Sequence, residues 1–261
     1  MDTPEGQIHY RIGGSGEPLL LLHQSPRSLE EYAGMIPTLV RKKHLIAMDT
    51  MGYGESDKPP RPYSIEEHAK TVIMLLDGLG IRRTSIVGNH TGAVIATEVA
   101  ASYPKRVDKL VLSGVFDPTE EVRQWLLQLK QWTIQEDGSY LIKMFQRGMR
   151  QSGNPRIAHQ RVVDLLKAGE TSEWGHKAVA RYPMSERLTL IQSPTLVIWS
   201  AEDLGKMDAK GWLGSEGRRK VENALPRGKS VTIPGGAMHF PSEEPAEFAR
   251  LILQFLEDPG V

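Results

Sequence analysis

Ser85-Ile86-Val87-Gly88-Asn89-His90-Thr91-Gly92-Ala93 is the stretch that decides how this chain folds. Ser85–Val87 is a short apolar strand, and Thr91–Ser102 is a helical pattern that stays apolar around most of its circumference, as a buried helix does. Only Gly88 to Gly92 separate the two. A strand that enters a helix this abruptly must bend sharply at the central residue, and small residues on either side let the backbone close that tightly. The central residue is His90, and histidine tolerates positive φ better than most non-glycine residues.

Strands and helices alternate on both sides of this turn. Gln7–Ile12 and Leu19–His23 are β-rich and are joined by Gly13-Gly14-Ser15-Gly16. A phosphate loop must open into a helix, whereas this glycine cluster opens into a strand, so a hairpin is predicted. A helix is expected from about Ser28 to Val40 and a strand at His44–Met48. Ser64 followed by Glu67 forms a capping box before apolar Val72, Ile73, Leu75, Leu76 and Leu79. Gly80 closes that helix as a left-handed cap. Leu110–Ser113, Thr195–Ser200 and Ser230–Ile233 are expected to be strands covered on both faces. About Pro245–Leu256 is a final helix. The alternation implies an α/β chain with a mainly parallel sheet flanked by helices and joined by right-handed crossovers. From 118 to 192 the rhythm breaks into helical patterns without a strand. Trp125, Leu126, Leu129 and Trp132 share one predicted face; Leu141, Met144, Phe145 and Met149 another; Ala158, Val162, Leu165 and Leu166 a third. This segment is expected to be a helical cap inserted into a core of 1–117 and 193–261, over the carboxyl ends of the strands.

Composition narrows the chemistry. A chain of 261 residues buries enough surface to fold without staples, and without cysteine it has no disulfide, cysteine-zinc site or thiol nucleophile. Lys plus Arg and Asp plus Glu both number 32, which favours neither nucleic acid nor an anionic membrane as partner. No apolar run approaches the ~20 residues of a bilayer span, and the acidic, polar N-terminus has no signal-peptide pattern. A cytoplasmic protein acting on a small molecule is the expectation, with no cofactor and no metal.

Further motifs make the chain resemble the α/β-hydrolase superfamily over nearly its whole length. His23-Gln24-Ser25-Pro26 is similar to that family's oxyanion loop, and Asp49-Thr50-Met51-Gly52-Tyr53-Gly54-Glu55-Ser56-Asp57-Lys58-Pro59 to a stretch of its smaller capped members. Ser200-Ala201-Glu202-Asp203 sits where the family carries its acid. Gly235-Gly236-Ala237-Met238-His239-Phe240 matches the catalytic-histidine loop, and Glu244-Pro245-Ala246-Glu247-Phe248 the last helix. The resemblance implies His239 as general base, Asp203 as the carboxylate that orients it, and the backbone N–H groups of Ser25 and Thr91 as the oxyanion hole. The Ser25 and Thr91 hydroxyls are further candidate donors, and Asp117 is an alternative acid position. His23 is expected to be structural.

His90 departs from the family, which presents serine, aspartate or cysteine at this elbow. Without a hydroxyl, three roles remain: direct attack through an acyl-imidazole, acid–base work on water or a substrate proton together with His239, or binding alone. The non-covalent role is favoured here. The implied functions are hydrolysis of an ester, lactone or activated carbon–carbon bond, cofactor-free lyase, decarboxylase, isomerase or cyclase chemistry, and non-catalytic binding. A metal held by His90, His239 and Asp203 is disfavoured because Asp203 is expected behind His239. Gln24, Arg27, Trp125, Trp132, Trp174 and Tyr182 are the candidate pocket residues. The aromatic content suggests an apolar or aromatic ligand, with Arg27 either steering a carboxylate or simply solvated.

Overall fold

The computed structural model describes residues 1–115, 117–130, 132–211, 214–234, 240–258 and 260. β1 (Asp2–Thr3) and β2 (Gly6–Gln7) form a small antiparallel ladder. Then come β3 (Tyr10–Gly13), β4 (Pro18–Leu22), α1 (Ile36–Leu39), β5 (His44–Met48), α2 (Ile65–Gly78), β6 (Thr84–Asn89), α3 (Thr91–Ser102) and β7 (Val107–Ser113). Between β7 and the next strand lie α4 (Glu120–Gln128), α5 (Ser139–Ser152), α6 (Pro155–Ala168), α7 (Trp174–Arg181) and α8 (Met184–Leu188). The chain closes with β8 (Thr195–Ser200), α9 (Ala201–Ala209), α10 (Gly214–Ala224), β9 (Gly228–Ile233), α11 (Phe240–Glu243) and α12 (Pro245–Glu257).

Among the described residues the main sheet has seven strands in the order β3-β5-β4-β6-β7-β8-β9, all parallel except β3. Alternation along the strands builds two core layers. Leu19 and Leu21 pack with Leu45, Val87 and Val111 under α1 and α12, while Leu20 and Leu22 pack with Ile46, Ile86 and Leu112 under α2 and α3. Leu19 to Leu22 are all fully buried, and each such side chain contributes about 1.5–3 kcal/mol of transfer free energy. β4 has β5 on one side and β6 on the other. Strand order therefore reverses at β4, and the crevice beyond the carboxyl ends of β4 and β6 is where open α/β sheets bind ligands.

Several expectations change. β3 and β4 do not pair with each other, because β5 lies between them, antiparallel to β3 and parallel to β4. The glycine cluster is thus a connection around an intervening strand rather than a hairpin. The expected helix from Ser28 to Val40 is broken into a 3-10 turn at Leu29–Tyr32 and the short α1. Pro37 stands in the first turn of α1 and lacks the N–H that a continuous helix would donate to Ala33. β9 is an edge strand and is largely exposed, not covered on both faces. In α4, helix ends at Gln128 and Trp132 lies beyond it, so the expected shared face does not form. Leu141 and Phe145 of α5 are exposed, as is Leu166 of α6. The contact between these helices instead runs through buried Gly148, where an added Cβ would come within 2.9 Å of Ala158 Cα.

Local signals are realised as the sequence implied. Ser64 N donates to Glu67 Oε2 at 2.9 Å and Glu67 N donates to Ser64 Oγ at 3.3 Å. After α2, Gly80 takes φ of 69°, and Ile81 N donates to Leu76 O at 2.8 Å, which satisfies the end of the helix.

The elbow depends on close backbone approach. A Cβ on Gly92 would collide with the Leu22 carbonyl oxygen, and one on Gly88 would come within 2.6 Å of Ala93 Cα. Gly205, inside α9, has nothing within 4 Å of the same position. Gly92→Ala is therefore expected to unfold the protein or lower its urea midpoint steeply. Gly205→Ala should raise it, by ~0.5–1 kcal/mol of helix propensity. Equal midpoints for the two variants would refute the close-approach argument.

His68 of α2 is buried, packs edge-on against Tyr63 and has no partner for Nδ1. Burial, with His23 as a like-charge neighbour, pushes its pKa down to about 4. Between pH 6.5 and 4 the unfolded chain binds a proton that the folded chain refuses. This group's contribution is complete above pH 6.5 and is lost as pH falls towards 4, by up to ~3 kcal/mol. Urea unfolding of His68→Phe across this window should show a shallower loss than wild type; an identical slope would refute the assignment.

Candidate active site

His90 stands at the carboxyl end of β6, beside the switch between β5, β4 and β6. His90 caps α3 with φ 46° and ψ −113°, and among the described residues it is the one non-glycine with positive φ. This conformation lies outside the left-handed helical well that histidine tolerates, and it costs on the order of 1–3 kcal/mol. Neighbouring bonds hold it there: His90 N donates to Ser113 O at 2.8 Å, and His90 O accepts from Ala93 N at 2.9 Å and Val94 N at 3.1 Å. The imidazole lies over Gly114, where an added Cβ would fall 2.6 Å from Nε2.

Beside the ring is a cavity of about 30 Å³ lined by His90, Asn89, Ser200 and Asp203 together with apolar Val115, Leu204 and Phe240. Asp203 is in the first turn of α9, which Ser200 caps by accepting from Asp203 N at 3.1 Å. The structure thus brings His90 and Asp203 to one small space. His239 lies outside the described residues. Asp117 lines neither this cavity nor the larger one; it accepts from Arg123 Nη2 at 3.0 Å and from the Ser185 hydroxyl. Among the described residues no group of three or more metal-ligating side chains is assembled.

The loop after β4 is fastened to the elbow. Glu31, fully buried in the 3-10 turn, accepts from Gln24 N at 3.0 Å, from Gln24 Nε2, and from Asn89 Nδ2 at 3.1 Å. His23 Nδ1 bonds Gln24 O at 2.9 Å while Nε2 accepts from Thr50 N at 3.0 Å, which holds the ring in place beneath the loop. Thr91 is the first residue of α3, where backbone N–H groups have no intrahelical acceptor. The Ser25 hydroxyl meets the buried Tyr53 hydroxyl, which accepts from Gly175 N at 2.7 Å and donates to Thr171 O at 3.1 Å. Burial pushes the Tyr53 phenol up to about 12.

A larger cavity, of about 470 Å³, opens between this loop and the helical insertion. Gln24, Arg27 and Trp132 line it. Trp125, Trp174 and Tyr182 do not. Trp125 is 44% exposed on α4, whose Val122 and Leu126 turn inward. Trp174 is two positions from His176 on α7, about 200° round the helix, and it is His176 that faces the cavity. Tyr182 is buried and donates to Glu98 Oε2 at 2.7 Å; Arg187 Nε reaches the same oxygen at 2.8 Å, joining α8 to α3. Arg27 is not a solvated loop residue: it is buried, and its Nε donates to Asp164 Oδ2 at 2.7 Å. Lys143, Arg147 and Arg150 also line the cavity, with Arg161 of α6. Their spacing along α5 is i, i+4, i+7, a stripe legible in the sequence but not recognised from it. Glu31 and Asp164 carried no such signal, because their partners lie far along the chain.

A family model described as alpha/beta hydrolase fold matches residues 17–205. The chain is 29% identical over 220 residues to haloalkane dehalogenase 2 of Mycobacterium tuberculosis, covering 78% of this chain and 77% of that protein. It is also 29% identical over 277 residues to a 2-hydroxy-6-oxononadienedioate/2-hydroxy-6-oxononatrienedioate hydrolase of Burkholderia vietnamiensis, covering 98% and 92%. A crystal structure of a hydrolase from Pseudomonas aeruginosa shares the fold with a TM-score of 0.78 at 22% identity, covering 99% of this chain and 97% of that one.

Glu31→Gln would place an amide NH2 among donors that need an acceptor. A loss of about 1–3 kcal/mol in urea unfolding is expected, the cost of leaving a buried polar group unsatisfied. A change below ~0.5 kcal/mol would mean that this carboxylate does not join the loop to the elbow.

Proposed function

Because this chain belongs to the α/β-hydrolase fold family, we propose that it hydrolyses an ester, lactone or activated carbon–carbon bond of a small molecule with an apolar or aromatic body. His90 acts as a base towards water. The observation that carries this reading is the cavity of about 30 Å³ shared by His90 and Asp203, a space that suits a water molecule or two and no substrate. Neutral imidazole accepts a proton from that water as its oxygen bonds to the substrate carbonyl carbon. The Ser25 and Thr91 N–H groups receive the charge that develops on the carbonyl oxygen. When the tetrahedral adduct collapses, the leaving group takes the proton that His90 accepted from water, which returns the imidazole to its neutral form, with His239 in a supporting acid–base role. The relatives named as dehalogenase and dienedioate hydrolase support cleavage of small molecules on this scaffold.

The strained backbone at His90 belongs to the turn and not to the imidazole, so removal of the ring should leave the fold intact. His90→Ala is expected to lower kcat/KM on a panel of 4-nitrophenyl esters and aromatic lactones by about 10²–10⁴. In H2(18)O, wild type should place one labelled oxygen in the acid product during the first turnover, with no acyl adduct on the protein by mass spectrometry. Unlabelled product, or a wild type that only exchanges substrate C–H for deuterium, would overturn the reading in favour of proton-transfer chemistry without hydrolysis.

A further inference from the structure

The larger cavity carries more positive charge than the protein around it neutralises. Five cationic side chains line it, Arg27, Lys143, Arg147, Arg150 and Arg161, and no aspartate or glutamate is among its described lining residues. Arg27 has one carboxylate partner, Asp164, on Nε, while its Nη1 is buried without any hydrogen-bond acceptor. The Nη1 of Arg161 is buried and without an acceptor in the same way. Among the described residues, Lys143, Arg147, Arg150 and Arg161 take part in no ion pair that would offset this charge. Trp132 and Tyr140, stacked at 5.5 Å, supply an aromatic wall to the same space.

We propose that this cavity binds the carboxylate of an acidic substrate, with the guanidinium groups of Arg27, Arg147 and Arg161 holding the anion and the aromatic wall covering the apolar body. The proposal rests on the hydrolase reading for its word substrate, but the binding stands apart from any turnover. Guanidinium groups left without acceptors in a partly desolvated site are costly, and a planar two-oxygen anion offers them acceptors. Burial first, then Arg27 and Arg147 as like-charge neighbours, pulls the Arg161 guanidinium down to about 10, so it remains charged at neutral pH. Glu243 and Glu31 act on it in the opposite sense and more weakly. His176, on the same wall, is pushed down to about 4 by burial and Arg147 and stays neutral. The substrate is therefore an ester, lactone or ketone that bears a separate carboxylate, held away from the elbow while the scissile carbonyl meets Ser25 and Thr91.

Titration calorimetry with 3-phenylpropanoate, its primary amide and 3-phenylpropyl phosphate tests the assignment on the whole protein without catalysis. The carboxylate should bind at least tenfold more tightly than the amide, and more weakly as NaCl is raised. Arg161→Gln should remove that preference, with the amide affinity unchanged; Arg161→Lys should restore only part of it, since a lysine lacks the planar fork. Because Arg27→Gln strands the buried Asp164 and can impair folding, Arg147→Gln serves as the second variant and should weaken the carboxylate alone. Equal affinity for acid and amide, an Arg161→Gln protein that keeps the preference, or tighter binding of the phosphate would each overturn the carboxylate assignment. If carboxylate binding persists while no ester is cleaved, the hydrolase reading fails and this one stands.

Discussion

Glu31 sits fully buried at the end of the strand crevice and accepts from the backbone and side chain of Gln24 and from Asn89 of the elbow. A carboxylate taken out of water is tolerated only when its lone pairs are occupied, so these two loops cannot separate without exposing it to an unsatisfied interior. The Gly92–Leu22 approach, which admits no side chain, holds the same two segments at backbone contact. Together they set the distance between the amides of the loop after β4 and the residue at the head of α3. The rest of the site is arranged around that fixed separation: Asp203 from α9 on one side, the basic wall of α5 and α6 on the other.

Charge is distributed against the average of the chain. Formal charge balances to zero overall, yet the larger cavity gathers cations without acids on its lining. Close by, burial holds His68 and His176 neutral, and His23 is fixed by a donor on one side and an acceptor on the other. The positive potential of the cavity comes from guanidinium and ammonium groups that do not titrate near neutrality. A low-dielectric pocket with one sign of charge selects ligands before any chemistry begins.

The parts legible in the sequence were those encoded within a few residues: the elbow between β6 and α3, the Ser64 capping box, the Gly80 turn, and the order of strands and helices. Parts set by distant partners were not. Nothing near Gly13–Gly16 says that β5 will intervene between β3 and β4, since that is decided by which apolar edge β4 offers. Pro37, which interrupts the helix expected from Ser28 to Val40, was a local signal that went unread. Arg27 and Asp164 meet across 137 positions of chain, and no local pattern marks a carboxylate that waits for such a partner. Of the aromatic residues expected at the pocket only Trp132 lines the cavity, joined there by Tyr140, which the sequence did not mark; Trp125, Trp174 and Tyr182 lie at the surface, on the far side of α7, and in a polar strut to Glu98.

The backbone at His90 argues that the elbow is kept for use. A serine, an aspartate or a histidine would all bear the same positive φ, so the strain is no consequence of choosing imidazole. Relief would be simple, because glycine at position 90 adopts such angles without cost. The chain instead retains a side chain at a point where one is penalised, leaves Gly114 bare so that the ring can lie over it, and brings an aspartate from a capped helix to the same small space. Strain of this kind persists where the surroundings over-determine it, and it gathers at sites that act on ligands. The ring thus lies over a bare glycine, beside a water-sized space that Asp203 also lines.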